Sequence, residues 1–385
     1  MVVNGYSEQW LRQGFPWVYP KEVVARPDGL SPGQTVRLQT QDGTPMGVGL
    51  WDSGWIAVRR FRPDPGPIPL EELLDRALAL RQQIIDPQTS AYRVVAAEND
   101  GLPGLRIDIW GWYVVVTLDS ASLMPLLDRV CDWLEKTLKP RGIQLAWRID
   151  PRDTGKTAGP ERLLRGHETP ADVRVTERGV ALLVRPTSKD VGLFTDMREN
   201  RAWLEPHWGG KRVLNLFAHT GAFSVCAALG GASQVTSVDL SEHYLERARA
   251  NFVANDLDPS PHDFLAEDVR KALDRMRRTQ QTFDLVLLDP PSFSHGPQGA
   301  LSVEQDYGRL VASSLRVLER DGWLVAALNH GKVSPKQFSG FIREGARKAN
   351  RGLQLLHVGA QAPDHPAAAW FPEGRYLKFA IYRAV

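Results

Sequence analysis

Cysteine is almost absent: Cys131 and Cys226 are the only two among 385 residues. Two thiols cannot build a disulfide scaffold or a cysteine-rich zinc site, so no metal is expected, and a reducing cytoplasm is the simplest compartment. No apolar run approaches the roughly 20 residues that cross a bilayer. The opening Met1-Val2-Val3-Asn4-Gly5 has no basic stretch followed by an apolar one, so no secretory leader is expected. Neither sign of charge dominates. Lys and Arg number 47, Asp and Glu 45, and the net of +2 permits a nucleic-acid partner without arguing for one. At 43% hydrophobic and 24% charged, the chain has a globular composition. Its length calls for two or three domains.

Three stretches read differently. Residues 1–67 carry short alternating runs, Thr35-Val36-Arg37-Leu38-Gln39 and Trp55-Ile56-Ala57-Val58-Arg59, separated by Gly and Pro turns. They predict a small β-rich domain closed by the linker Arg62-Pro63-Asp64-Pro65-Gly66-Pro67. Residues 68–189 read as α+β: a helix over 70–85, a hairpin over 105–118, a helix over 124–138, a polar loop over 152–170 and a hairpin over 173–184. Residues 190–385 alternate strand and helix. The apolar run over 283–288, broken only by Asp284, suits a parallel sheet covered on both faces. The fold class expected is therefore α/β, with a doubly wound C-terminal domain.

In such a sheet, ligands sit at the carboxyl ends of the strands. The first strand leads into Asn215-Leu216-Phe217-Ala218-His219-Thr220-Gly221, which lacks the glycines that a dinucleotide pyrophosphate needs. One glycine suffices for an adenosyl-amino-acid. Asp239, after the second strand, can accept two ribose hydroxyls, and Asp268, after the third, can hold an adenine amino group. The plain alternative for each is a surface acid or a helix cap. The fourth strand ends in Asp289-Pro290-Pro291-Ser292-Phe293. Two prolines fix the backbone, so the acid and nearby carbonyls face a base's amino group at little entropic cost. Phe293 offers a stacking face for a flipped base.

With these motifs in place, the chain resembles the class I S-adenosylmethionine (SAM)-dependent methyltransferases that modify large-subunit (23S) ribosomal RNA and carry an N-terminal PUA domain. Gly14-Phe15-Pro16-Trp17-Val18-Tyr19 resembles the family's opening, and 98–105 (Glu98-Asn99-Asp100-Gly101-Leu102-Pro103-Gly104-Leu105) its middle domain. The segment Gly192-Leu193-Phe194-Thr195-Asp196-Met197-Arg198-Glu199-Asn200-Arg201 resembles the lead into its catalytic domain. Asp364-His365-Pro366 and 372–378 resemble its C-terminal signature. The resemblance implies a PUA-like domain over 1–67, an RNA-recognition domain over 68–189 and a Rossmann-like methyltransferase domain over 190–385. It implies SAM as cofactor, held by Phe194, Asp196, Arg198, Asn215, Phe217, Thr220, Gly221, Asp239, Asp268 and Asp289. It implies large-subunit ribosomal RNA or its precursor particle as partner, with a homodimer allowed for and no membrane.

The atom methylated is argued from a missing nucleophile. Pyrimidine C5 needs a cysteine thiolate to add at C6. The family's cytosine-C5 members carry it after the strand that follows Asp-Pro-Pro, where this chain reads Leu328-Asn329-His330-Gly331-Lys332. Guanine N7 has a free lone pair and needs mainly positioning. Asp289, Pro290, Pro291, Phe293 and Asn329 resemble the N7 version and are the expected catalytic set. An exocyclic amino nitrogen is the close alternative, cytosine C5 stands beside it as the disfavoured one, and an inactive RNA-binding assembly factor is a further reading.

For RNA contact, Trp51, Trp55, Arg59, Arg60, Phe61 and Arg62 interleave rings with guanidinium groups. The competing reading is a core of Trp with solvated Arg. Trp17, Lys156, Arg162, Arg165 and Lys332 complete the candidate RNA-binding set, and 270–278 forms a second basic stretch.

Overall fold

The computed structural model describes residues 1–147, 162–188, 190–291, 293–296 and 299–385. Two compact units emerge. One comprises Met1–Arg178, Val184–Val191 and Pro363–Gly374; the other comprises Gly179–Leu183, Gly192–Ala362 and Arg375–Val385. Among the described residues, no helix is long and apolar enough to cross a membrane.

The first unit holds a six-stranded sheet built from residues 2–62 and a five-stranded sheet built from residues 91–166. Alternation works as expected in Thr35–Gln39, where Val36 and Leu38 are buried and their neighbours exposed. In the second sheet, Leu105–Trp110 and Tyr113–Leu118 form the expected antiparallel pair. Gly142–Trp147 runs parallel to Tyr113–Leu118, and the helix Leu127–Thr137 makes the crossover between them. The helix Leu70–Ile84 buries Leu70, Leu73, Leu74, Ala77 and Leu78, the stripe its spacing dictates. One core joins Val48, Leu50 and Phe61 of the first sheet to Leu74, Ile107 and Val116 around the second. The expected polar loop over 152–170 is corrected in part. Arg162–Gly166 is a strand paired with Gly142–Trp147, and residues 148–161 lie outside the described residues.

The second unit is built on a seven-stranded sheet: β1 (Arg212–Leu216), β2 (Gln234–Asp239), β3 (Asp263–Ala266), β4 (Phe283–Leu288), β5 (Leu318–Asn329), β6 (Leu353–Gly359) and β7 (Leu377–Ala384). The spatial order is β3-β2-β1-β4-β5-β7-β6. β1 to β5 are parallel, and β7 runs antiparallel to β5 and β6. Successive residues of one strand serve different cores. Leu214, Leu216, Val286 and Leu288 belong to one cluster, and Val213, Leu285 and Leu287 to another. Both faces are thus covered, and the apolar runs in the sequence have their reason. The strand order reverses between β1 and β4, which places a ligand crevice at their carboxyl ends.

Candidate active site at the carboxyl ends of the strands

The turn after β1 is held in an unusual backbone conformation. Phe217, His219 and Gly221 all have positive φ, at 59°, 53° and 75°. Two of the three are not glycine, so the turn carries local strain of about 1–3 kcal/mol per residue. Neighbouring hydrogen bonds hold it. The Ala218 amide donates to Val238 O at 2.9 Å, and the His219 amide to Asp239 Oδ2 at 2.9 Å. At Gly221 a Cβ would approach Ala248 Cβ to 2.7 Å, so both backbone and packing require glycine. Behind the turn, buried Asn215 donates to Ser224 Oγ at 2.9 Å, and the Thr220 hydroxyl donates to Gly192 O.

Asp239 also accepts from the Ser241 amide through Oδ1 at 3.0 Å. Each carboxylate oxygen keeps a second lone pair for an incoming hydroxyl. Asp268 is more committed. It N-caps the helix Val269–Arg278 and receives the Arg270 amide at 2.8 Å and the Arg270 guanidinium at 3.1 and 2.9 Å. Burial raises its carboxyl, but the bonds from Arg270 outweigh that and hold it below the usual range.

Asp289 is different. It follows β4 directly, at the reversal of strand order, with Pro290 buried and Pro291 exposed beyond it. Burial pushes its carboxyl up to about 7; Asp196 adds like-charge repulsion and Arg201 opposes it. Asp196 is itself buried and accepts from the Tyr376 hydroxyl at 2.9 Å. Arg201 donates to Phe194 O at 2.8 Å and lies 5.4 Å over the Phe223 ring. Phe194 is 54% exposed, its ring 5.3 Å from His219, which in turn lies 4.6 Å from Tyr244. Arg198 is buried and pairs with Glu199 at 3.4 Å. Asn329, at the end of β5, is exposed. Just beyond it, the Lys378 ammonium donates to the carbonyls of His330 and Tyr376.

The fold therefore gathers Phe194, Asp196, Arg198, Asn215, Phe217, Thr220, Gly221, Asp239, Asp268, Asp289 and Asn329 within the second unit. Most stand at or beside its strand ends. The side chain of Phe293 lies outside the described residues. Sequence reasoning missed Arg201, Tyr376 and Lys378. All three stand inside the segments that carry the family resemblance, and that was the available signal.

The RNA candidates need correction. Arg59 and Arg60 are 3% and 7% exposed, because Val58–Arg62 is an interior strand of the six-stranded sheet. Arg59 faces Asp52 at 3.6 Å, and Arg60 reaches the carbonyls of Met46 and Phe15. Neither meets a phosphate while the strand is paired. Trp17 donates to Glu98 Oε1 at 2.9 Å and packs among Phe15, Tyr19, Trp55 and Phe371. Trp51 is buried and Trp55 exposed. Arg62 is half-buried and donates to Pro67 O at 3.2 Å. Arg162 and Lys332 are exposed, while Arg165 pairs with Asp128 at 3.0 Å. Lys156 lies outside the described residues.

Residues 168–372 match the family described as S-adenosylmethionine-dependent methyltransferase, and residues 1–62 match the PUA-like domain. The chain is 32% identical to the "Ribosomal RNA large subunit methyltransferase I" of Aeromonas salmonicida, covering 100% of this chain and 98% of that protein. It is 33% identical to the protein of the same name in Aeromonas hydrophila, with the same coverage. Among solved structures, a protein crystallised in complex with SAH superposes with a TM-score of 0.88 at 25% identity, covering 100% of this chain and 99% of that one.

Proposed function

The chain belongs to the S-adenosylmethionine-dependent methyltransferases, and from that premise we propose that it methylates a base of large-subunit ribosomal RNA, guanine N7 being the favoured atom. The substrate class is supported by the match, along the whole chain, with relatives named for that RNA. The observation that carries the site reading is Asp289, an acid at the strand reversal whose carboxyl is raised to about 7.

SAM, the cofactor, supplies an electrophilic methyl group when bound. The residues present fit it. Asp239 keeps accepting capacity for hydroxyls, and Phe194 presents an open ring face. Asp239 also holds the β1 turn through the His219 amide, so cofactor binding and turn shape are coupled. Asp289 accepts from the substrate base when ionised, and the proline pair limits its backbone freedom. Asn329, exposed at the end of the neighbouring strand, is the further residue proposed to contact the base.

Carbon methylation lacks its nucleophile. Cys131 is buried in Leu127–Thr137, where burial pushes its thiol up to about 11. Cys226 lies within the helix Ala222–Leu229. Neither stands at a strand end, so a nitrogen acceptor is favoured. An exocyclic amino nitrogen is the second reading, favoured by the same raised carboxyl, which suits a proton acceptor near neutral pH. The test is methyl transfer from deuterium-labelled SAM to unmodified large-subunit RNA, followed by nucleoside mass spectrometry. Labelled 7-methylguanosine is expected. Labelled 5-methylcytidine overturns the choice of atom, and the absence of label on every nucleoside overturns the substrate.

A further inference from the structure

The second unit has another concave feature. Its helix Pro335–Ala349 places Lys336, Arg343 and Arg347 on one face, at spacings that a 3.6-residue repeat brings together. With Ser339, Arg351 and Tyr382 they line an open cleft of about 680 Å³. No carboxylate lines it among the described residues. The acid beside it on the helix, Glu344, is taken by Lys348. Arg351 is fixed at the back by the carbonyls of Leu315, Leu318 and Glu319, at 3.3, 3.1 and 2.9 Å. These acceptors are neutral, so its positive charge stands uncompensated. Burial pushes the Tyr382 hydroxyl further above its ordinary range, so it adds a neutral polar group.

Four cations in one cleft are a concentration that a chain of net charge +2 does not lead one to expect. Only the Lys336 end of the row stands on the Asn329 side of the sheet; Arg351 is held at Leu318 and Glu319, where β5 begins. The helix starts just beyond β5, whose end carries Asn329, and Lys332 lies between the two. From Lys336 to Arg347 the stripe runs roughly 16 Å along the helix, at about 1.5 Å per residue. A strand of linked phosphates fits such a row better than one small anion does.

We propose that this cleft is a phosphate-backbone site for the RNA substrate, separate from the strand-end site that receives the base. The proposal rests on the reading of RNA as substrate. Cations not paired with carboxylates contribute through counterion release, so their effect is read in the salt dependence of binding.

The test compares the full chain with its K336A/R343A/R347A variant, which leaves the structural Arg351 in place. Binding of a large-subunit RNA fragment is measured across salt concentrations. The slope of log K against log salt should fall by about 2–3, at roughly 0.7–0.9 for each phosphate that is no longer neutralised. Affinity near 0.1 M salt should fall at least about tenfold. SAH affinity and Tm should stay unchanged, and the K336R/R343K/R347K variant should restore the slope. Equal slopes for wild type and triple alanine variant overturn the cleft. So does a variant that loses only its binding to anionic lipid vesicles. Failure of the substrate reading looks different: the wild-type protein then leaves the same RNA unmethylated.

Discussion

Asp100, in the first unit, receives both arms of the Arg81 guanidinium at 2.7 and 2.8 Å and the Ala96 amide at 2.6 Å. Asp289, in the second, faces the like charge of Asp196 with Arg201 in partial relief. The first neighbourhood is closed. Arg81 also donates to Asp364 O at 2.8 Å, Asp364 accepts the Arg93 amide at 2.9 Å, and Asn99 accepts the Ala368 amide at 2.9 Å. Two segments that carry the family resemblance, 98–105 and 364–366, thus meet in a satisfied structural network. The second neighbourhood keeps an acid whose charge is undecided near neutral pH, as a group that exchanges hydrogen bonds with a substrate requires.

The contrast is broken or sharpened by three substitutions. Asp100→Ala should have the largest effect, because it leaves the fully buried Arg81 without its counter-charge. A loss of about 3–5 kcal/mol is expected in urea unfolding of the first unit. A loss below about 1 kcal/mol, the scale of an exposed pair, would erase the distinction.

Asp289→Asn should lower methyl transfer about 100-fold while leaving SAH affinity within a few-fold. The wild-type carboxyl is protonated below about 7 and accepts only when ionised, so kcat/KM should rise with pH through that region. The variant should lack this limb. Stability should move the other way. The folded carboxyl titrates above its unfolded value, so ionisation costs the fold as pH rises, and Asp289→Asn should raise Tm more at about pH 8 than at about pH 5. A pH-independent wild-type rate would place Asp289 with Asp100, among the structural acids.

Asp239→Ala should weaken SAH binding by about 1.5–3 kcal/mol, read by calorimetry. Unchanged affinity would remove it from the proposed cofactor set and leave it as the tie between the β1 turn and Ser241.

The sheet was legible because its physics is local. β4 was bounded correctly at Phe283–Leu288, since a strand covered on both faces must be apolar throughout. Ser241 caps Glu242–Val253 as its residue type suggests. Asp289 could be placed because it directly ends a largely apolar run, and Asp239 because it closes the short strand Gln234–Asp239. Other features depend on tertiary partners. The bounds of the helix Val303–Arg316 and the start of β5 at Leu318, where its pairing with Phe283 begins, are of this kind. Arg59 and Arg60 looked like a basic surface because alternation alone does not show that both faces of their strand are covered. The raised carboxyl of Asp289 was illegible for the same reason: its burial is set by tertiary packing, and Asp196, which adds to the shift, comes from a distant segment.

That distance has a kinetic corollary. Tyr376 donates to Asp196, and Lys378 to the His330 carbonyl, so the surroundings of Asp289 and Asn329 depend on contacts with long intervening chain. Such loops are entropically costly to shut and tend to form late in folding. Gentle denaturation should therefore silence the catalyst before the sheet beneath it melts.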